Sequence, residues 1–175
     1  GSAAITDTFK ITVTNTNDAP TVANAIADQT ATEDSALSFQ FNSNVFADVD
    51  VGDSFTYTAT LSDGSALPSW LTFTAATRTF SGTPLNANVG EIDVKVTATD
   101  TGSAAITDTF KITVTNTNDV PTVGSTPSFV SVVDALYTYT MSASDVDVGD
   151  SVTLAPSTLP TWLTFDAATG VLTGT

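Results

Sequence analysis

Twenty-two residues of this chain occur twice: GSAAITDTFKITVTNTNDAPTV at 1–22 returns at 102–123 with one change, Ala19 against Val120. A chain that repeats itself at a fixed spacing is built from copies of one supersecondary unit, and every copy must bury its apolar face in the same way. Two further landmarks recur. The run Asp-Val-Asp-Val-Gly-Asp stands at 48–53 and 145–150, and LPSWLTF at 67–73 answers LPTWLTF at 159–165. Ser81-Gly82-Thr83 answers Thr173-Gly174-Thr175. The unit is therefore about 100 residues long, the size of an immunoglobulin-like sandwich. The phase gives 1–19 as the C-terminal strand of one unit, 20–119 as a complete unit and 120–175 as the N-terminal part of a third. Because the complete unit goes on with PLNANVGEIDVKVTATD after its Ser-Gly-Thr, the chain is expected to be a piece of a longer array.

Within the complete unit, apolar and polar residues alternate. Leu37, Phe39 and Phe41 do so, as do Phe55, Tyr57 and Ala59. The pattern returns at Ile92, Val94, Val96 and Ala98, and at Phe110, Ile112 and Val114. Period two places one face of a strand in a core and the other in water. Turn signals such as Asp63-Gly64, Leu67-Pro68 and Gly82-Thr83-Pro84 break the pattern at sandwich spacing. No convincing amphipathic helix interrupts it. The expected class is all-β, a tandem array of two-sheet sandwiches.

Charge narrows the function. Nineteen acidic side chains face only Lys10, Arg78, Lys95 and Lys111, for a formal net charge of −15. All the acids except Glu33 and Glu91 are Asp, which prefers turns and strand ends to helices. Nucleic-acid binding needs clustered Lys and Arg, and these are missing. Without Cys or His the chain has no disulfides, no thiolate or imidazole metal ligands and no His-based acid–base catalysis. No apolar run approaches the roughly 20 residues that span a bilayer, so membrane insertion is not expected.

The acids gather where units meet. One group is Asn15, Asn17 and Asp18 before Pro20, with its copy Asn116, Asn118 and Asp119 before Pro121. A second is Asp48 and Asp50, with copies Asp145 and Asp147. Asp100 closes the strand VKVTATD, and Glu33 lies on the first strand of the complete unit. Hard cations such as calcium take six to eight oxygen ligands from carboxylates, amides and backbone carbonyls. An ion bound there converts repulsion into cross-linking and a string of beads into a rod. Asp28, Asp63, Asp108 and Asp166 read instead as ordinary turn formers.

With these residues laid out, the chain resembles cadherin-type repeats, in particular the bacterial dystroglycan-type cadherin-like and Ig-like domains of large secreted or surface proteins. The linker Asn-Thr-Asn-Asp-x-Pro is similar to the family's calcium linker and Asp48-x-Asp50 to its Asp-x-Asp. LPSWLTF, TFSGTP and VTATD resemble segments of the bacterial branch. The resemblance implies Greek-key sandwiches, an extracellular or cell-surface location, and Ca2+ between consecutive units. It implies that Asn15, Asn17 and Asp18 share ions with Asp48, Asp50 and Asp100. It likewise pairs Asn116, Asn118 and Asp119 with Asp145 and Asp147, with Glu33 reaching down to them. The family's acidic motif ahead of its sixth strand is blurred here into Asn86, Asn88 and Glu91, and Val133 and Asp134 stand near the place of Glu33 in the third unit.

The first expectation is thus a calcium-stiffened structural or adhesive segment, with other repeats of the array as its partners. A carbohydrate-binding module is the alternative, and Trp70 and Trp162 are the candidate platforms; beside Leu and Phe in a repeated apolar motif, both are expected in the core. Catalysis is not expected, because no carboxylate pair is isolated for acid–base work. The third unit lacks its last two strands, and residues 4–15 carry the sequence of the final one. Head-to-tail self-association by strand donation follows as a further expectation.

Overall fold

The alternating segments pair into two sheets. In the computed structural model, which describes residues 1–175, the order is β1 (Thr21–Val22), β2 (Gln29–Thr32), β3 (Leu37–Gln40), β4 (Phe46–Ala47) and β5 (Thr56–Leu61). It continues with β6 (Leu71–Thr74), β7 (Thr79–Gly82), β8 (Gly90–Thr99) and β9 (Ala105–Thr115). One sheet runs β2-β9-β8-β5 and the other β3-β7-β6, while β1 pairs with β4. Val94, Val96 and Ala98 of β8 and Phe110, Ile112 and Val114 of β9 are buried, as their period predicts.

Aromatic rings hold the sheets together. Phe80 of β7 is fully buried, with Phe73 at 4.5 Å, Phe110 at 5.5 Å and Phe39 at 6.4 Å between ring centroids. Phe41 packs edge-on against Tyr57 at 5.5 Å, and burial pushes the Tyr57 phenol above its ordinary pKa despite the nearby Arg78.

The tryptophans depart from expectation. Trp70 is half-buried, and Trp162 keeps 42% of its surface exposed. The repeated Trp and Gly of the two motifs meet through the backbone. A Cβ on Gly82 would stand 1.7 Å from the Trp70 carbonyl oxygen, and one on Gly174 2.1 Å from that of Trp162. Glycine is required because a strand crosses a carbonyl there.

The chain divides into two compact units. The first comprises Gly1–Thr30, Ala36–Gly82 and Glu91–Thr113. Within it, residues 1–20 form no strand, although residues 4–15 repeat the sequence of β9. Ile5, Phe9, Ile11 and Val13 are 99%, 79%, 75% and 89% exposed. Their copies in β9 have neighbouring strands to pair with; here the same pattern has no ladder, so alternation alone does not make a strand.

The second unit comprises Ala31–Ser35, Thr83–Gly90 and Val114–Thr175. It carries β10 (Thr122–Val123), β11 (Tyr137–Thr140), β12 (Ala143–Ser144), β13 (Leu163–Asp166) and β14 (Val171–Gly174). The sheet β11-β14-β13 repeats β3-β7-β6 in register: Leu37 faces Gly82, and Tyr137 faces Gly174. No helix of the chain is long and apolar enough to cross a membrane.

Candidate metal centres

Two acidic clusters are built by the same local device. Asp48 Oδ1 accepts the Asp50 N–H at 2.9 Å, and Asp145 Oδ1 accepts the Asp147 N–H at 3.0 Å. Each short side chain thus folds the backbone into a turn. The next residues complete it: Gly52 and Gly149 both sit at φ 98°, a conformation that costs glycine little. The second aspartate of each pair is buried and holds the linker. Asp50 Oδ2 accepts the Asp18 N–H, and Asp147 Oδ2 accepts the Asp119 N–H, both at 2.8 Å.

In the first compact unit, Asp48, Asp53 and Asp100 each bring a carboxylate oxygen within 4.8 Å of the others. Asp100 accepts the Ala104 N–H at 2.8 Å and the Asn17 side-chain amide at 3.1 Å. Asp53 accepts the Thr101 hydroxyl at 2.6 Å. Gly102 is fitted around Asn17: a Cβ there would lie 1.9 Å from Asn17 Oδ1. Gly102→Ala is therefore expected to unhook Asn17 from Asp100. Its side-chain amide resonances then move to exposed-asparagine positions while those of Asn118 stay, a result that side-chain amide NMR reads directly.

In the second compact unit, Glu33, Asp119 and Asp147 form one such triad, and Asp145, Asp147 and Asp150 another, so Asp147 belongs to both. Glu33 is 1% exposed and accepts the Thr117 N–H at 2.5 Å. Asn86 donates from Nδ2 to Asp119 Oδ2 at 2.5 Å. Asn118 donates to the Asp119 carbonyl at 2.8 Å, tightening the linker on itself.

Four buried oxygens in these clusters have no hydrogen-bond donor: Glu33 Oε2, Asp147 Oδ1, Asp48 Oδ2 and Asp53 Oδ2. Buried polar atoms are normally satisfied, and an unmet carboxylate oxygen costs about 1–3 kcal/mol or more. Like charges at 4 Å also repel by about 4 kcal/mol per pair at a protein boundary. All the donors are hard oxygens, which suits calcium or magnesium and not a thiophilic metal.

Of the residues expected from sequence, Asn17, Asp18, Asp48, Asp50 and Asp100 come together in the first cluster. Glu33, Asp119, Asp145 and Asp147 come together in the second, with Asn118 beside them. Asn15 and Asn116 are exposed, and neither side chain joins the hydrogen bonds of the clusters. Asp53 and Asp150 end the two copies of the repeated hexapeptide, and the fold brings them into the clusters. The blurred motif resolves into three fates: Asn86 joins Asp119, Asn88 caps the Leu85 N–H at 2.9 Å, and Glu91 pairs with Lys111.

The remaining aspartates hold backbone. Asp63 accepts the Ser65 hydroxyl and N–H, which lowers its pKa, and Asp166 is lowered by the Thr169 hydroxyl and the Ala168 N–H. Asp108 accepts the Ile26 N–H at 2.6 Å and Asp28 the Lys111 N–H at 2.7 Å, so these two clamp distant segments and do not form turns.

Register also locates what the third unit lacks. Asp34 and Asp134 share a left-handed conformation, at φ 56° and 59°, three residues before the aligned Leu37 and Tyr137. The place of Glu33 is therefore taken by Val133, which is 87% exposed.

A family model and a cadherin ectodomain agree with this architecture. The family model described as "Putative Ig domain" matches residues 19–115 and 120–175. A serine-rich adhesin for platelets from Staphylococcus aureus (strain MRSA252) is 33% identical over 111 residues, 63% of this chain but 8% of the adhesin. The protocadherin GammaB4 extracellular domain superposes with a TM-score of 0.52 at 18% identity, covering 89% of this chain and 28% of that one. An endo-fucoidan hydrolase of glycoside hydrolase family 107 aligns with a TM-score of 0.46 at 26% identity, over 90% of this chain and 24% of that one.

Proposed function

The chain belongs to the Ig-domain family, and we propose that within it this segment is a calcium-binding structural and adhesive part of an extracellular or cell-surface protein. The four donorless carboxylate oxygens carry the reading, because a hard cation in each cluster would satisfy the two that lie there, Asp48 Oδ2 with Asp53 Oδ2 and Glu33 Oε2 with Asp147 Oδ1. The repeats are divided as 1–19, 20–119 and 120–175, with calcium at each junction. At the first, Asn15, Asn17, Asp18, Asp48, Asp50 and Asp100 bind, joined by Asp53. At the second, Glu33, Asn116, Asn118, Asp119, Asp145 and Asp147 bind, joined by Asn86 and Asp150. Bound calcium offsets the repulsion within each cluster and fixes the linker that Asp50 or Asp147 already grips.

The Ig-domain family and the adhesin relative point to a non-enzymatic role. That relative's name supports adhesion as the purpose of the array, and other repeats are its nearest partners. Small-angle scattering tests the stiffening. Calcium is expected to replace the broad distance distribution of the EDTA-treated chain with one narrower and more extended. Superimposable curves with and without calcium contradict it.

One observation favours a second reading, a carbohydrate-binding module of an extracellular polysaccharide-active or matrix protein. Trp162 borders a cleft of about 280 Å³ with Ser131, Asp134 and Thr175, and Tyr137 stands edge-on to it at 6.1 Å. An exposed indole with neighbouring hydroxyls is a platform for a sugar ring. Saturable quenching of tryptophan fluorescence by a soluble glycan supports this reading, and loss of the calorimetric binding heat in Trp162→Ala identifies the site.

A further inference from the structure

We propose that Asn86 is a reversible latch on the second acidic cluster. Its amide nitrogen holds Asp119 while no ion is bound, and its amide oxygen turns to the ion when one enters. The inference rests on the calcium reading above and adds how this chain manages the cluster without its ion.

Three donors reach the triad of Glu33, Asp119 and Asp147. Two are main-chain: the Thr117 N–H donates to Glu33 Oε1 at 2.5 Å, and the Asp119 N–H to Asp147 Oδ2 at 2.8 Å. The third is the Asn86 side chain, whose Nδ2 donates to Asp119 Oδ2 at 2.5 Å. No lysine or arginine takes part, since the one ion pair of the chain joins Lys111 to Glu91. Asn86 is thus the only side chain that offers a positive dipole to the triad. Glu33 Oε2 and Asp147 Oδ1 remain buried in it without a donor.

The base of the latch is fixed. Asn86 opens a 3-10 turn, Asn86–Asn88, in which the Asn88 N–H donates to the Leu85 carbonyl at 2.7 Å. Asn88 Oδ1 accepts the Leu85 N–H at 2.9 Å and closes the same turn from its side chain. Pro84 is buried just ahead, and its carbonyl accepts the Asp34 N–H at 2.8 Å. The backbone therefore keeps Asn86 beside the cluster, and its half-buried side chain needs only to rotate. Rotation of the terminal amide exchanges Nδ2 for Oδ1, donor for acceptor, without moving the backbone. An aspartate there would add a fourth carboxylate to the ion-free triad, and an alanine would serve neither state. The amide holds the empty cluster together, and calcium must break its hydrogen bond to bind.

Side-chain amide NMR of the whole chain, in EDTA and through a calcium titration, reads the latch. The Asn86 amide pair is identified by its absence from the spectrum of Asn86→Asp. In EDTA it is expected away from exposed-asparagine positions and slow to exchange, and saturating calcium moves it and speeds its exchange. Asn86→Asp and Asn86→Ala should both lower the EDTA melting temperature by about 3–6 °C, because each loses the donor. Only Asn86→Asp should tighten calcium binding in calorimetry, by about tenfold, because it adds a charged ligand. An unchanged circular dichroism spectrum at low temperature shows both variants folded. Calcium heat with an Asn86 amide that stays at its EDTA position overturns the latch and leaves calcium binding standing. An EDTA melting temperature unchanged in both variants overturns it too. No calcium heat at all, with the amide unmoved, overturns the latch and the calcium reading together.

Discussion

Saturating calcium is expected to raise the melting temperature of this chain by roughly 5–10 °C over its value in EDTA. A ligand at about 100 times its Kd adds about 2.7 kcal/mol to the folded state. For a chain of this length each kcal/mol is worth about 2–4 °C. Asp147 should govern the largest share, because it belongs to two triads and its Oδ1 has no donor. In Asp147→Asn the amide oxygen can still accept the Asp119 N–H, so the linker contact survives and the charge does not. The expected result is an EDTA melting temperature equal to or above the parent's and a calcium-induced rise cut by half or more. Glu33→Gln should act in the same direction with a smaller effect. A calcium shift left whole in Asp147→Asn removes that residue from the site. Magnesium should give little of the rise, since it demands near-octahedral geometry and sheds water reluctantly.

The largest loss of stability is expected at Phe80. Truncating this fully buried ring removes partners from Phe73, Phe39 and Phe110 together and leaves a cavity between the sheets. Phe80→Ala should cost about 3–5 kcal/mol, in calcium or in EDTA alike. Phe9→Ala is the contrasting case. Phe9 is 79% exposed, and at concentrations where the chain is monomeric its loss should change stability by less than about 0.5 kcal/mol. Urea unfolding of the two variants beside the parent measures both. Equal costs would mean that the buried Phe80 cluster does not hold the sandwich together.

Much of this was legible from residues alone, for identifiable reasons. Period two in VKVTATD and FKITVT marks strands because a half-buried strand leaves no other imprint, and both became the central β8 and β9. Recurrence exposed the Asp-x-Asp and linker acids, since turn formers need not repeat with their neighbours. Other features turn on three-dimensional placement. Residues 4–15 read as a strand, yet strand formation depends on partners and the segment has none. Trp70 and Trp162 look like core by composition, but their motif works through a carbonyl pressed on Gly82 or Gly174. Asp53 and Asp150 became visible as cluster members only once the turn at Gly52 or Gly149 brought them back towards Asp48 or Asp145. Asn86 lies more than thirty positions from Asp119, and nothing local in sequence connects them.

Calcium titration calorimetry on the EDTA-stripped chain, with the Asp50→Asn, Asp147→Asn double variant beside it, tests the central claim most directly. The account predicts saturable heat for calcium at dissociation constants of roughly 10⁻⁴ to 10⁻³ M, the range of extracellular calcium modules, with none of that heat in the double variant. No saturable heat in the parent, or equal heat in the variant, contradicts it: the clusters would then be acidic surface that keeps the array soluble, and its junctions would be held by the linker hydrogen bonds alone.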